Sequence, residues 1–264
     1  MSLLEMTEET KTLCQRFTII KMKVKLISLT QPWVGSLGLD NPMSAEDIIA
    51  YCARVSNPKN QMNTATAPKL IKFLIKHKHW SPFELANMCV EIKTSRAIAA
   101  QILRHRSFSF QEFSQRYSEA TDMEPLELRS PAEKNRQSSS DKIDDAVINN
   151  IAKYSMEQSL NCYNKLIAQG VAKECARGVL PLGTQTTMYM NGSVRSWVHY
   201  INLRTEENTQ KEHRDVANSI KDIFIEQFPN VSLALEWKRR KTEEEQMDAY
   251  VQSLRDMDSG HQPS

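Results

Sequence analysis

The stretch RHRSFSFQEFSQR, residues 104–116, changes character half-way along. Its first three residues, Arg104, His105 and Arg106, close the run RAIAAQILRHR (96–106), in which Ile98 and Ile102 share one helical face. From Ser107 onward polar residues alternate with Phe108 and Phe110, the period of a strand with one face in a core, and Phe113 extends the aromatic set. A helix therefore hands over to a strand inside this segment. Three basic residues at a helix C-terminus complement its macrodipole, which is sufficient reason for them. Consecutive helical residues point about 100° apart, so the three share a site only if the helix breaks first. With a break, they and Gln101 fan around an anion, and the planar fork of arginine suits phosphate. The strand half adds Glu112, Ser114, Gln115 and Arg116, which together offer donors, acceptors and a cation. Both readings stand at this level, a capped helix with an amphipathic strand or a nucleotide site. A single-stranded nucleic-acid binder also interleaves aromatics with basic residues, but it would repeat the stripe, and no comparable segment occurs elsewhere.

Working outward, VKLISLT (24–30), ELANMCVEIKTS (84–95) and TQTTMYMNG (184–192) read as strands. Residues 32–42 read as a loop by their Pro, Gly and Asn content. Ser44 has the look of an N-cap, with Glu46 and Asp47 in the first turn of a helix to about Val55. Helical spacing recurs over 67–80, 171–179, 193–204 and 209–228, and over a long run from about Asp141 to Gln169 that Gly170 ends. The Ser-rich, polar stretch 127–142 reads as a mobile loop dividing the chain into two halves. On the 193–204 helix, Val194, Trp197, Val198 and Ile201 form one side, and Arg195, His199 and Asn202 the other. A solvated face is the ordinary explanation of such a stripe. A His, an Asn and an Arg in place of Lys and Glu also suit a ligand. The expectation is an α/β fold, a helix-rich single domain with a small central sheet. Residues 24–237 form it, 1–23 are an N-terminal extension, and 238–264 are a charged tail.

Composition narrows the function. The chain has 264 residues and a formal net charge of +2, so nothing favours non-specific binding to nucleic acid or membrane. No apolar run approaches the length of a membrane span, and residues 1–17 lack the pattern of a secretory signal. Five cysteines, at 14, 52, 89, 162 and 175, have neither metal nor redox spacing and read as reduced thiols of a cytoplasmic protein, or one in a host's cytoplasm if viral. His77 and His79 are an HxH pair, but on a helix they diverge and no acidic or thiol partner completes a set, so no metal is expected. Ser81 with Glu84 reads as a turn cap. Ser114 has no obvious base partner in sequence, so it is not expected to be an acylation nucleophile. With seven glycines, and neither GxGxxG nor a Walker A loop, any phosphate-bearing cofactor must be held by side chains and helix ends.

Taken together these pieces resemble the flavin-dependent thymidylate synthase family. Its motif is RHR, seven residues, Ser, one residue, Arg, and Arg104-His105-Arg106 followed by Ser114-Gln115-Arg116 match it fully. CARVS (52–56), the block His79 to Glu84, Arg177 with Leu180-Pro181, and Arg195-Ser196 with Asn202-Leu203-Arg204 follow in the family's order, so the similarity spans about 24–228. The resemblance implies reductive methylation of dUMP to dTMP, with methylenetetrahydrofolate as carbon donor, FAD as hydride carrier and NADPH as its reductant. It also implies a homotetramer with shared active sites. Carried over by position, Gln101, Arg104, Glu112, Ser114, Gln115, Arg116, Arg177 and Arg204 would hold dUMP, Arg204 being the catalytic one. Ser56, His79, Ser81, Arg104, His105, Arg106, Glu112, Ser193, Arg195 and His199 would hold FAD. Gln115 stands where the family often has Gly, Ser193 and His199 where it often has Asn, and Asn208 where it often has His.

Overall fold

Period-two alternation builds the sheet. In the computed structural model, which describes residues 22–32, 43–119 and 122–240 together with Glu245, Met247, Tyr250 and Val251, strand β2 (Asn87–Ser95) buries Met88, Val90 and Ile92 and leaves the residues between them half-exposed. Strand β6 (Gln185–Ser193) buries Met188 and Met190 and leaves Tyr189 between them exposed. Burying each such side chain contributes roughly 1.5–3 kcal/mol, so the alternation fixes which face meets the helices. Strands β1 (Lys23–Leu29) and β3 (Ser109–Glu112) complete an antiparallel sheet of order β1-β2-β6-β3. The expected loop over 32–42, the N-terminal extension and most of the tail lie outside the described residues.

The helices cover the apolar face. Helix α1 (Ala45–Ala53) starts on a reciprocal capping box. The Ser44 hydroxyl accepts from the Asp47 amide at 3.2 Å, and the Asp47 carboxylate accepts from the Ser44 amide at 2.9 Å. Helix α2 (Ala67–Lys76) ends four residues before the expected Trp80, where Lys78 takes a φ of 57°. Helix α3 (Arg96–Ile102) follows β2 directly. Helices α4 (Ala146–Ala168), α5 (Lys173–Ala176), α6 (Val194–Arg204), α7 (Lys211–Gln227) and α8 (Pro229–Ala234) form the rest. One core gathers α1, α2, α3, α6, α7, α8 and the sheet, and Trp197 pins α6 to β2 by donating its indole N–H to the Met88 carbonyl at 2.9 Å. A smaller cluster, Met123, Leu160, Tyr163 and Ala176, joins α4 to α5.

The stretch read as one loop over 127–142 instead pairs its ends as a ribbon, β4 (Arg129–Pro131) with β5 (Ser139–Lys142). Hydroxyls at Ser130 and Ser140 meet at 2.9 Å, and Arg129 donates to Ser139, Glu127 and Glu212, so polar pairs take the place of an apolar face. Helix α4 consequently begins five residues later than Asp141. Asp145 is its cap, accepting from the Val147 and Ile148 amides at 2.8 and 3.0 Å. Its C-terminus is as expected, with Gly170 at a φ of 80° beyond it. The chain is also not divided at this ribbon, because β6 from its second half lies between β2 and β3 of the first.

Candidate active site

Helix α3 stops at Ile102, so Arg104, His105 and Arg106 leave the helix rather than cap its dipole. The Arg104 and His105 amides donate to the carbonyls three residues back, at 3.3 and 3.0 Å, a tightening turn that releases the chain. Phe108 is the reason for the turn. Its ring is buried 4.6 Å from that of Trp197 and packs so closely on Gly192 that a Cβ there would lie 2.4 Å from the ring. Anchoring Phe108 leaves Arg104 and Arg106 exposed and turns His105 inward.

His105 meets Arg204, the last residue of α6. The Arg204 Nε donates to His105 Nε2 at 2.9 Å, so that nitrogen is an acceptor and the imidazole carries its proton on Nδ1. Burial, and then the Arg204 charge and that of His199, lower the His105 pKa to about 4, which keeps it neutral. No carboxylate among the described residues lies within ion-pair distance of Arg204, Arg104 or Arg106. Behind His105 stand Tyr200, ring to ring at 4.8 Å, and the fully buried His213. The Tyr200 hydroxyl lies 3.1 Å from His213 Nε2, and His213 Nδ1 lies 3.2 Å from the Gln101 carboxamide oxygen. Burial first, then Arg204 and His105, lower the His213 pKa to about 3, while burial pushes the Tyr200 phenol up.

The strand half of the motif leads elsewhere. Glu112 accepts from Arg96 at 2.8 Å and from the Thr186 hydroxyl at 3.0 Å. Ser114 is exposed, and Gln115 is 6% exposed with its Nε2 unpartnered among the described residues. Arg116 reaches across to Glu174 on α5 at 2.9 and 3.1 Å, and Arg177 donates to the Glu174 carbonyl at 3.3 Å. Glu174 thus lies between Arg116 and Arg177, two arginines from distant parts of the chain that are both expected at a nucleotide.

A third group lies where β6 enters α6. Ser193 caps α6 by accepting from the Ser196 amide at 3.2 Å, and its hydroxyl donates to Glu84 at 2.5 Å. Arg195 donates to the other Glu84 oxygen at 3.0 Å. The expected Ser81–Glu84 cap is therefore replaced: 81–84 form a 3₁₀ turn without a side-chain cap, and Glu84 holds α6 instead. Arg195, His199 and Asn202 are exposed as one stripe. Ser56, His79 and Ser81 are exposed, and the rings of His77 and His79 are 6.1 Å apart.

Residues 39–230 match the Thy1 family, described as thymidylate synthase complementing protein. A probable flavin-dependent thymidylate synthase of Paramecium bursaria Chlorella virus 1 is 52% identical over 220 residues, which cover 82% of this chain and 100% of that protein. A flavin-dependent thymidylate synthase of Synechocystis sp. is 51% identical over 219 residues, again 82% and 100% of the two chains. The chain belongs to the flavin-dependent thymidylate synthase family. A solved structure of a UMP/dUMP methylase, PolB from Streptomyces cacaoi, bound with 5-Br dUMP, has the same fold, with a TM-score of 0.70 at 23% identity over 84% of this chain and 98% of that one.

Within the family frame, five residues in or beside these clusters were not legible as site residues: Glu84, Glu174, Tyr200, His213 and Gln210, whose carboxamide oxygen accepts from the Gln101 amide at 2.7 Å. Only His213 carried a signal, as the one histidine on the apolar side of the 209–228 helix beside Val216, Ala217 and Ile220. The other four act through contacts to residues distant in sequence.

Proposed function

We infer that this chain catalyses the reductive methylation of dUMP to dTMP, taking the methylene carbon from methylenetetrahydrofolate, with FAD as cofactor and NADPH as its reductant. The observation that carries this reading is the uncompensated charge of Arg204, whose close partner is a neutral imidazole and not a carboxylate. Methylation at C5 requires electron density on the pyrimidine. A cation beside the N3–C2=O edge stabilises the enolate-like form, and an arginine with no counter-ion retains that capacity. Reduced FAD, when bound, supplies the hydride.

The residues present fit a flavin held without a glycine cradle. Arg104 and Arg106 are exposed cations without ion pairs among the described residues, and His79, Ser81, Arg195 and His199 face solvent. With Ser56, His105, Glu112 and Ser193 they make up the flavin set. In the dUMP set, Arg116 and Arg177 take the phosphate with Ser114 and Gln115, while Gln101, Arg104, Glu112 and Arg204 surround the remainder. The orphaned Gln115 Nε2 supports a polar ligand at that point. Arg116 binds by exchanging Glu174 for phosphate, since an exposed pair of this kind is worth only about 0–1 kcal/mol.

A homotetramer with shared sites accords with α4, which exposes Val147, Ile148, Ile151 and Tyr154 at helical spacing, an apolar stripe rather than singly scattered surface residues. Residues 24–237 form the catalytic domain, flanked by the extension and the tail. Among the described residues no helix is long and apolar enough to cross a membrane, and this, with thiols left unpaired at Cys52, Cys89, Cys162 and Cys175, supports action in the cytoplasm of the cell or host.

The test is direct. Purified protein supplied with FAD acquires a flavin absorption spectrum, and with dUMP, methylenetetrahydrofolate and NADPH it forms dTMP. A protein that binds dUMP but yields no dTMP under reducing conditions would be a silent nucleotide binder, and the enzyme reading would be lost. Native mass gives the subunit number.

A further inference from the structure

One relay of hydrogen bonds runs from the buried core to Gln101, and its polarity follows from its far end. Glu212 can only accept, and it is anchored by Arg129 at 2.6 Å. Gln210 must therefore present its amide N–H to Glu212, at 2.9 Å, and its carbonyl oxygen to Gln101. Gln101 in turn must donate to that oxygen, at 2.7 Å, which turns its own oxygen toward His213 Nδ1 at 3.2 Å. His213 Nδ1 then carries the proton, so Nε2 accepts from the Tyr200 hydroxyl at 3.1 Å. Every member has one permitted direction. A carboxamide alone has two orientations of nearly equal energy, and only the one with nitrogen toward Gln210 is compatible with this relay.

We propose that His213 is a positioning residue, which with Tyr200 locks the Gln101 carboxamide so that its second N–H stays available to dUMP. His213 is fully buried on α7 and reaches no surface itself, so it acts through Gln101. Burial holds it neutral, which the relay requires, since a doubly protonated ring could not accept from Tyr200. Gln210 selects which end of the carboxamide carries nitrogen, and His213 holds the oxygen end in place; without that second contact the carboxamide can swing away from the position that presents its free N–H. The inference rests on the assignment of Gln101 to dUMP.

The experiment is dUMP binding by equilibrium dialysis with the FAD-loaded protein and four variants, Gln101→Ala, His213→Phe, His213→Asn and the double variant Gln101→Ala/His213→Phe, with melting curves alongside. His213→Phe should raise the dUMP dissociation constant about tenfold, the effect of one misdirected hydrogen bond. His213→Asn, whose amide N–H can take the place of Nδ1–H, should restore most of the affinity. In the double variant the phenylalanine should add nothing to the loss from Gln101→Ala. If His213→Phe does not fold, Tyr200→Phe removes the donor to Nε2 and should weaken dUMP binding in the same direction. Additive losses, or affinity indifferent to His213→Phe and Tyr200→Phe while Gln101→Ala weakens binding, would overturn the positioning role alone. Gln101→Ala without effect on dUMP would remove the assignment of Gln101, and the inference with it.

Discussion

Arg204 and Arg116 are both arginines expected at the nucleotide, and the fold treats them oppositely. Arg204 is half-buried against a neutral imidazole, backed by Tyr200 and His213, with no carboxylate partner among the described residues. Arg116 is exposed and already paired with Glu174. The first arrangement keeps a cation unneutralised in a partly desolvated place, where its field acts strongly on charge that develops in a reaction. The second keeps a cation paired with an exposed carboxylate in reach of water, where an incoming phosphate would exchange with it at little cost. Catalysis needs the former and binding the latter.

Removing Arg204 should give the largest effect. Arg204→Gln is expected to slow dTMP formation about 100- to 1,000-fold, the range for loss of one preorganised donor to developing negative charge, with dUMP affinity changed far less. A fall in affinity matching the fall in rate would show that Arg204 binds in the same way as Arg116 and would erase the contrast. Arg116→Ala should do the reverse and weaken dUMP binding by ~2 kcal/mol through loss of a charge-assisted partner. Unchanged affinity in equilibrium dialysis would remove Arg116 from the site.

The imidazoles behind Arg204 make a pH prediction. The His105 and His213 values are depressed from 6.5 to about 4 and about 3. Below 6.5 the unfolded chain binds protons that these two refuse, so their stabilisation, complete above that pH, is lost as the pH falls toward each folded value. Each imidazole contributes a slope of up to about 1.4 kcal/mol per pH unit across its window. Urea midpoints measured from pH 7.5 to 4.5 should fall with acid, and less steeply in His213→Phe; equal slopes would mean that His213 is not held neutral by burial. Glu174→Gln should have the smallest effect, under about 1 kcal/mol on stability, with dUMP affinity equal or a few-fold tighter because Arg116 is released. Weaker dUMP binding in that variant would assign the carboxylate itself to the ligand.

How much of this could be read beforehand varies by element. The strands were legible because Met88, Val90 and Ile92, like Met188 and Met190, alternate with polar residues. Helix α1 was legible from its capping residues. The 127–142 ribbon was not, because it is paired through serines and Arg129, whose composition is that of a loop. The end of α3 was read too late, because the residue that terminates the helix, Phe108, acts through a ring packed on Gly192 and Trp197, 84 and 89 positions further along.

By itself the sequence determined the family, through the spacing of RHR, Ser114 and Arg116, and determined the chemistry available there, since side-chain type is fixed by the chain. It could not say which of those cations would be neutralised. That depended on which carboxylate, imidazole or amide arrived beside each one from a distant segment: Glu174 beside Arg116, Glu84 beside Arg195, His105 beside Arg204. Charge and protonation state are set by neighbours within a few ångströms, and only the tertiary structure chooses those neighbours.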